Sequence, residues 1–474
     1  MQRKALTIAI AAALSLGAGS AFAYSFSDGG YTTANTAVIK ISGSSATNAQ
    51  TKAWAQSVLC LPGSTNQTPI YNKDNNNFAI VCKPAVAGFS QPNIAIVKNS
   101  SGGSGNGISQ LNTAGQGYMD VFQPNPATAA LTAPTKSDVG VSDEEPAILI
   151  KAGAVIGSAA GVISAPLNAV TFGTPVTLSL RNALQQAQFG GACVGVETEA
   201  CMPSLSQSQI ASIFGGQALG WSEFGLTNAN DNIYIARRVV TSGTQTASRV
   251  FFLNNPCTDG TVSFVAGDNG EIATKPDACN AATYTGRVFE GSGGGNVEAC
   301  LTNHERNGRW AIGINSLELP STTDTTPAYA IAGGAATGGV LLNKDFQRHI
   351  KIDGFAPTTF NTATGRYRFF FEAAINTLAS ISADGAALKT AMMSGFNNPA
   401  VLVPLNASFN TTALLGPGKS AGILAPTSSG VIPATPASES ATVNAPQMYY
   451  THNVSGTPNS CQPAMSFYAT GLNP

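Results

Sequence analysis

The chain has 474 residues, a formal net charge of −1 and 10% charged side chains, where typical globular proteins carry about 25%. So neutral a balance offers no electrostatic footprint for nucleic acid or for an anionic membrane surface. The length suffices for two lobes that each bury a core.

The N-terminus reads as an export signal. Met1-Gln2-Arg3-Lys4 is basic, residues 5–16 are apolar, and Ala21-Phe22-Ala23 has the small-x-small pattern of a cleavage site. We therefore expect a signal peptide over 1–23 and Tyr24 as the mature start. The apolar run falls short of the ~20 residues that span a bilayer, and no later stretch is longer, so no integral membrane segment is expected. No cysteine stands directly after the cleavage site to carry a lipid.

Eight cysteines fit an exported chain with disulfides. Cys60 with Cys82 and Cys193 with Cys201 are the natural local pairs; the pairing of Cys257, Cys279, Cys300 and Cys461 stays open, with Cys461 placed to tie the chain end to the body. No Cys-x-x-Cys spacing occurs and there are three histidines, His304, His349 and His452. That argues against a zinc cluster, and no metal or other cofactor is expected.

Residues 24–145 are rich in turn formers, with strand-like pieces at 37–41 and 94–97. From about 150 to 320, β runs alternate with helical patterns, the mark of α/β architecture with a mostly parallel sheet. The pattern predicts helices at 178–188, at 207–214 with Ser206 (or Ser204) as N-cap, and at 247–253, and a strand at 233–236. Residues 367–380 read as an amphipathic helix. From about 405 to 445, Pro, Gly, Ser and Thr replace charge, as in an extended surface segment or linker. Gly418-Lys419-Ser420 in that segment lacks the leading glycine of a phosphate loop, since position 413 is Ala. There is no Gly-x-Ser-x-Gly elbow and no histidine close in sequence to a nucleophile, so catalysis is not expected.

Three segments place glycine and hydroxyl residues before a helix: Ser42-Gly43-Ser44-Ser45-Ala46-Thr47, Gly102-Gly103-Ser104-Gly105-Asn106-Gly107 and Thr241-Ser242-Gly243-Thr244. A helix start leaves backbone N–H groups unpaired and carries partial positive charge, glycine lets the backbone approach an oxyanion, and hydroxyls add donors. Taken singly, each is an ordinary N-cap pattern. Arg238, four residues before Ser242 at a strand end, adds a guanidinium able to bind an oxyanion bidentately. Arg237 should face the other way, as a solvated surface charge.

These residues resemble the periplasmic phosphate-binding family of ABC importers and its DING-type relatives. Arg238, Ser242, Gly243 and Thr244 match the family pattern Arg-x-x-x-Ser-Gly-Thr. Upstream, the Ser206-capped helix, Ile213-Phe214-Gly215-Gly216 and Trp221 follow the family order. Gly43-Ser44-Ser45-Ala46 with Trp54, Gly140-Val141-Ser142-Asp143, the glycine-rich 291–297 with 310–314, and 353–357 with 365–367 match further segments in order. The resemblance covers roughly residues 38–380.

It implies a two-lobed, hinged periplasmic-binding-protein-like α/β fold with a Pro/Ser/Thr-rich C-terminal segment. Lobe I would take 24–148 and 325–404, lobe II 149–324, and the C-terminal segment 405–474. It implies phosphate or a similar oxyanion as ligand, held by Ser45, Ala46, Ser142 and Asp143 from one lobe and Arg238, Ser242, Gly243 and Thr244 from the other. Ser104 is a further, less sharply aligned candidate. Asp143 would accept the proton that phosphate carries and sulfate lacks, so that repulsion excludes the wrong ion; the competing role for it is a turn residue. An ABC importer membrane complex is the implied partner, and the periplasm or the exterior the implied location. Two departures bear on binding. Val240 stands where relatives often have an acidic partner for the arginine, and Glu144 and Glu145 add negative charge beside Asp143. A surface or matrix protein that keeps the fold without a ligand is the alternative.

Overall fold

The computed structural model describes residues 30–61, 70–74, 76–228, 230–267, 279, 286–317, 346–408, 422–426, 444–454 and 457–465. The expected signal peptide and Gly418-Lys419-Ser420 lie outside them.

The first stretch of chain supplies β1 (Thr36–Gly43), α1 (Asn48–Trp54), β2 (Ile70–Asn72), β3 (Asn77–Cys82), β4 (Asn93–Asn99), α2 (Gly103–Ser109), β5 (Val139–Ser142), α3 (Pro146–Lys151) and β6 (Val162–Gly173). Next come β7 (Pro175–Thr177), α4 (Leu178–Phe189), β8 (Ser204–Leu205), α5 (Gln207–Phe214), β9 (Tyr234–Arg238), α6 (Gly243–Leu253), β10 (Val288–Gly291), α7 (Gly294–Arg306), β11 (Ala311–Gly313), β12 (Asn315–Ser316), β13 (Gln347–His349) and β14 (Lys351–Ile352). The chain closes with α8 (Thr359–Ala363), β15 (Phe370–Leu378), α9 (Ala383–Phe396), α10 (Pro399–Ser408) and β16 (Ile423–Leu424).

Two sheets organise these elements. The larger runs β12-β6-β15-β5-β1-β4-β3-β2, with β16 added on β6; the smaller runs β10-β9-β11-β7-β13. At the heart of each, strands are parallel: β1 with β4 and β5, β9 with β10 and β11. Strands buried on both faces need continuous apolar runs, and Ile94, Ala95, Ile96 and Val97 of β4 supply one at 0% exposure. The ends of β1, β4, β5, β9 and β10 each lead into a helix start, the usual place for ligands in open α/β sheets.

Local signals behave as expected in the smaller half. Ser206 caps α5 through a reciprocal box, accepting from Gln209 N at 3.1 Å while Gln209 Oε1 accepts from Ser206 N at 2.8 Å. Such a cap contributes about 1 kcal/mol. Cys60–Cys82 and Cys193–Cys201 are bonded, and the open pairs resolve as Cys257–Cys461 and Cys279–Cys300.

Three expectations need correction. Residues 367–380 do not form a helix: β15 occupies them, pairing antiparallel with β6 along its length and with β5. A strand covered on both faces has no alternation to distinguish it from a buried helix. The expected boundary at 148–149 does not coincide with a change of sheet, and the one at 324–325 lies outside the described residues. β6 and β12 pair with each other inside the larger sheet, whereas β13 lies in the smaller one, so the chain crosses at 173–175, at 313–315, between 316 and 347, and again between 349 and 370. Finally, the described parts of the C-terminal segment are not a surface extension. Ile423 and Leu424 join β6 at 0% exposure, and Met448 and Tyr449 pack on Phe370 and Ala363. Two buried carboxylates fasten Thr451, His452 and Ser460. Glu372 Oε1 accepts from Thr451 Oγ1 at 2.7 Å and His452 N at 3.0 Å, and Glu145 accepts from Ser460 N at 2.9 Å and from its hydroxyl.

Candidate functional site

At Gly43, β1 turns with φ +105°, and a side-chain carbon there would overlap the Val141 carbonyl and Gly107. Glycine thus lets the ends of β1 and β5 and the start of α2 meet. The chain then passes through Ser44 and a short 3-10 turn, Ser45–Thr47, into α1. Ser44 donates its hydroxyl hydrogen bond to Asp143 Oδ1, at the end of β5.

Asp143 is the hub. It is 2% exposed, its backbone N–H donates to Ser104 Oγ at 3.0 Å, and its Oδ2 accepts from Thr244 Oγ1 at 3.5 Å. Burial pushes its pKa up, opposed by the Ser44 hydroxyl, Arg238, the Ser104 hydroxyl and Lys98. Gly243 opens α6 against it: a side-chain carbon at Gly243 would overlap Ser104 Oγ and Asp143. The larger sheet (Ser44, Ser104, Asp143) and the smaller (Gly243, Thr244) therefore meet here. The Gly105 N–H also crosses between them, donating to Thr241 O at 3.0 Å.

Arg238, at the end of β9, is 2% exposed. Its Nε donates to Gly291 O at 3.2 Å, one terminal nitrogen to Ser292 O at 2.6 Å, and the other to Ser45 Oγ at 3.3 Å across the sheets. Where the resemblance leads one to expect an acidic partner, carbonyls hold the guanidinium. They orient it. Arg237 is not the solvated charge expected of it. It is 3% exposed and pairs with Glu290 at 2.8 Å on β10, where the parallel neighbour brings a carboxylate opposite.

Ser45, Ala46, Asp143, Arg238, Ser242, Gly243 and Thr244 thus stand at adjoining strand and helix ends, and Ser104 joins them at full burial. Ser142 stands apart in its use. Its hydroxyl donates to Glu144 O at 2.6 Å and accepts from Asn376 Nδ2 at 2.8 Å, so it shapes the loop. The acidic neighbours add less charge than expected. Glu144 is 0% exposed, and burial, then Asp143 and Glu145, push its pKa well up against the Ala247 backbone N–H. Glu145 points to Ser460. Sequence reasoning misses two residues, Ser44 as a contact of Asp143 and Lys98 buried at the end of β4. A lysine in step with Ile94 and Ile96 on an apolar strand is the signal that could have found the second.

Cys279, Cys300 and His304 lie together, but both sulfurs are spent in a disulfide. A cavity of about 350 Å³ opens elsewhere, lined by Phe355, Gly365, Arg366, Arg368, Tyr450 and Ala464. Among the described residues, no helix is long and apolar enough to cross a membrane.

The chain is similar to solved phosphate-binding proteins. One is a putative phosphate ABC transporter substrate-binding protein with bound phosphate from Clostridium perfringens, at 13% identity and TM-score 0.41, covering 78% of this chain and 97% of that one. An ABC-type phosphate transport receptor from Vibrio cholerae has 15% identity and TM-score 0.36, covering 75% and 93%. A human phosphate binding apolipoprotein has 16% identity and TM-score 0.37, covering 76% and 85%. No protein-family model and no curated protein sequence matches the chain.

Proposed function

We propose that this chain is an exported solute-binding protein that takes inorganic phosphate, or a similar protonated oxyanion, between two lobes built on its two sheets. The observation that carries the reading is the meeting of Arg238 and the start of α6, from the smaller sheet, with Ser45 and Asp143 of the larger. A guanidinium, hydroxyls and backbone N–H groups are donors for an oxyanion. A buried carboxylate among them is an acceptor, and it favours a ligand that carries a proton over one that does not.

On this reading the lobes hinge where the chain crosses at 173–175 and 313–315, and binding is a clamp motion. Ser44, Ser104 and Thr244, which bond Asp143 in the closed protein, would exchange partners as the ligand enters. Delivery to an ABC importer, or scavenging outside the cell, is the role such a clamp serves. Neither role asks for chemistry at the site.

Asp143→Asn tests the selectivity. An asparagine amide donates where the carboxylate repels, so the variant should bind sulfate while losing about 10²-fold in phosphate affinity. Calorimetric titration with both ions reads this directly. A variant that still ignores sulfate and keeps its phosphate affinity would show that Asp143 does not face the ligand.

A further inference from the structure

Lys98 ends β4 at 1% exposure, and lysine is almost never fully buried without a paired charge. Ion pairs among the described residues do not include it. Its ammonium instead donates to Ser44 O at 2.6 Å, Gly43 O at 3.4 Å and Asn48 Oδ1. The Asn48 amide donates in turn to Ser100 Oγ at 3.0 Å. The ammonium thus holds the carbonyls of the two residues that open the first anion loop. Through Ser44, whose hydroxyl bonds Asp143, it stands one residue from the hub.

We propose that Lys98 is the fixed counter-charge of the anion site, a positioning residue that offsets Asp143 from behind and fits the site to a dianion. The inference rests on the phosphate reading. Arg238 and Asp143 carry opposite charges and offset one another across the site. Lys98 adds the positive charge that a dianion needs, without touching it.

The surroundings make that charge conditional. Burial lowers the Lys98 pKa to about 7, Asp143 raising it and Lys52 lowering it further. Lys52 of α1 lies 4.5 Å from the Phe78 ring of β3, and the Lys98 ammonium 6.0 Å from the same ring. Asp143 in turn faces Arg238, which lowers its pKa, and Glu144, whose pKa it raises. An arriving anion stabilises the ammonium, so the bound form keeps its proton to higher pH than the free form. The affinity that Lys98 supplies is therefore complete below about pH 7 and is lost as the pH rises through the bound-state pKa.

The test is the phosphate Kd of wild type and Lys98→Met from pH 6 to 9.5, taken as a ratio so that the ligand's own ionisation cancels. The ratio should be about tenfold or more at pH 6 and fall towards one above pH 9. Lys98→Arg, which keeps a charge at every pH, should show no such fall. A Lys98→Met ratio that stays constant with pH would mean a merely structural lysine and overturn the proposal. Should Lys98→Met fail to fold, wild-type calorimetry at pH 8 in buffers of different ionisation enthalpy decides. Uptake of part of a proton per anion, beyond the share of phosphate itself, is expected; no uptake overturns the inference. Wild type that binds no phosphate at any pH removes both readings, whereas binding with a flat ratio removes Lys98 alone.

Discussion

Replacing Arg238 with alanine should lower phosphate affinity by about 10²–10³-fold while leaving the fold intact. A buried, charge-assisted contact costs about 2–5 kcal/mol when one partner is truncated, and a guanidinium can make two parallel bonds to one oxyanion. Gly291 O and Ser292 O hold it from behind at 3.2 and 2.6 Å, and the nitrogen that now reaches Ser45 Oγ at 3.3 Å lies on the side of the opposite sheet. Arg238→Lys should recover part of the loss, since it restores the charge but not the fork. Thermal unfolding without ligand controls for stability. An affinity unchanged in Arg238→Ala would place the anion elsewhere.

The second large effect concerns the C-terminal segment. Cys257 follows α6 on the smaller-sheet side, and Cys461 sits beside Ser460, which is fastened to Glu145 at the start of α3. Thr451 and His452, earlier in the same segment, are fastened to Glu372 on β15 of the larger sheet. The bond closes a 204-residue separation and ties α6 to a segment latched on the other sheet. Cys257→Ser with Cys461→Ser should therefore cost about 3–5 kcal/mol of stability, chiefly by freeing the unfolded chain. It should also speed hydrogen exchange at the Gly105 amide, which donates to Thr241 O between the sheets. Urea denaturation and amide exchange read the two effects separately. Unchanged stability and unchanged exchange would mean that the segment bears no load.

Features set by near neighbours are legible in the sequence, and those set by distant ones are not. The Ser206 cap and α5, the strand that carries Arg238 and the helix that begins at Gly243 depend on residues a few positions apart. Cys60–Cys82 and Cys193–Cys201, at separations of 22 and 8 residues, join cysteines that neighbour each other in chain order. Arg237 escapes local reasoning because its partner, Glu290, lies 53 residues away on a strand whose register no nearby pattern reveals. The latch of Ser460 on Glu145 spans 315 residues. β15 resembles a helix for a different reason. Phe370, Phe371, Ala373, Ala374 and Ile375 are all buried because β6 and β5 flank the strand and both faces are covered. At the site, the loops are legible as loops, but Lys98 and Ser44 gain their meaning only when β4, β1 and β5 stand side by side.

The central claim is that the meeting point of the two sheets is an oxyanion site selective for a protonated ligand. Calorimetric titration of residues 24–474 with phosphate, arsenate and sulfate addresses it most directly. The account predicts one tight site for phosphate and for arsenate, with no response to sulfate. No heat and no thermal shift with any of the three ions would contradict it and leave a protein that keeps this fold without an oxyanion to hold.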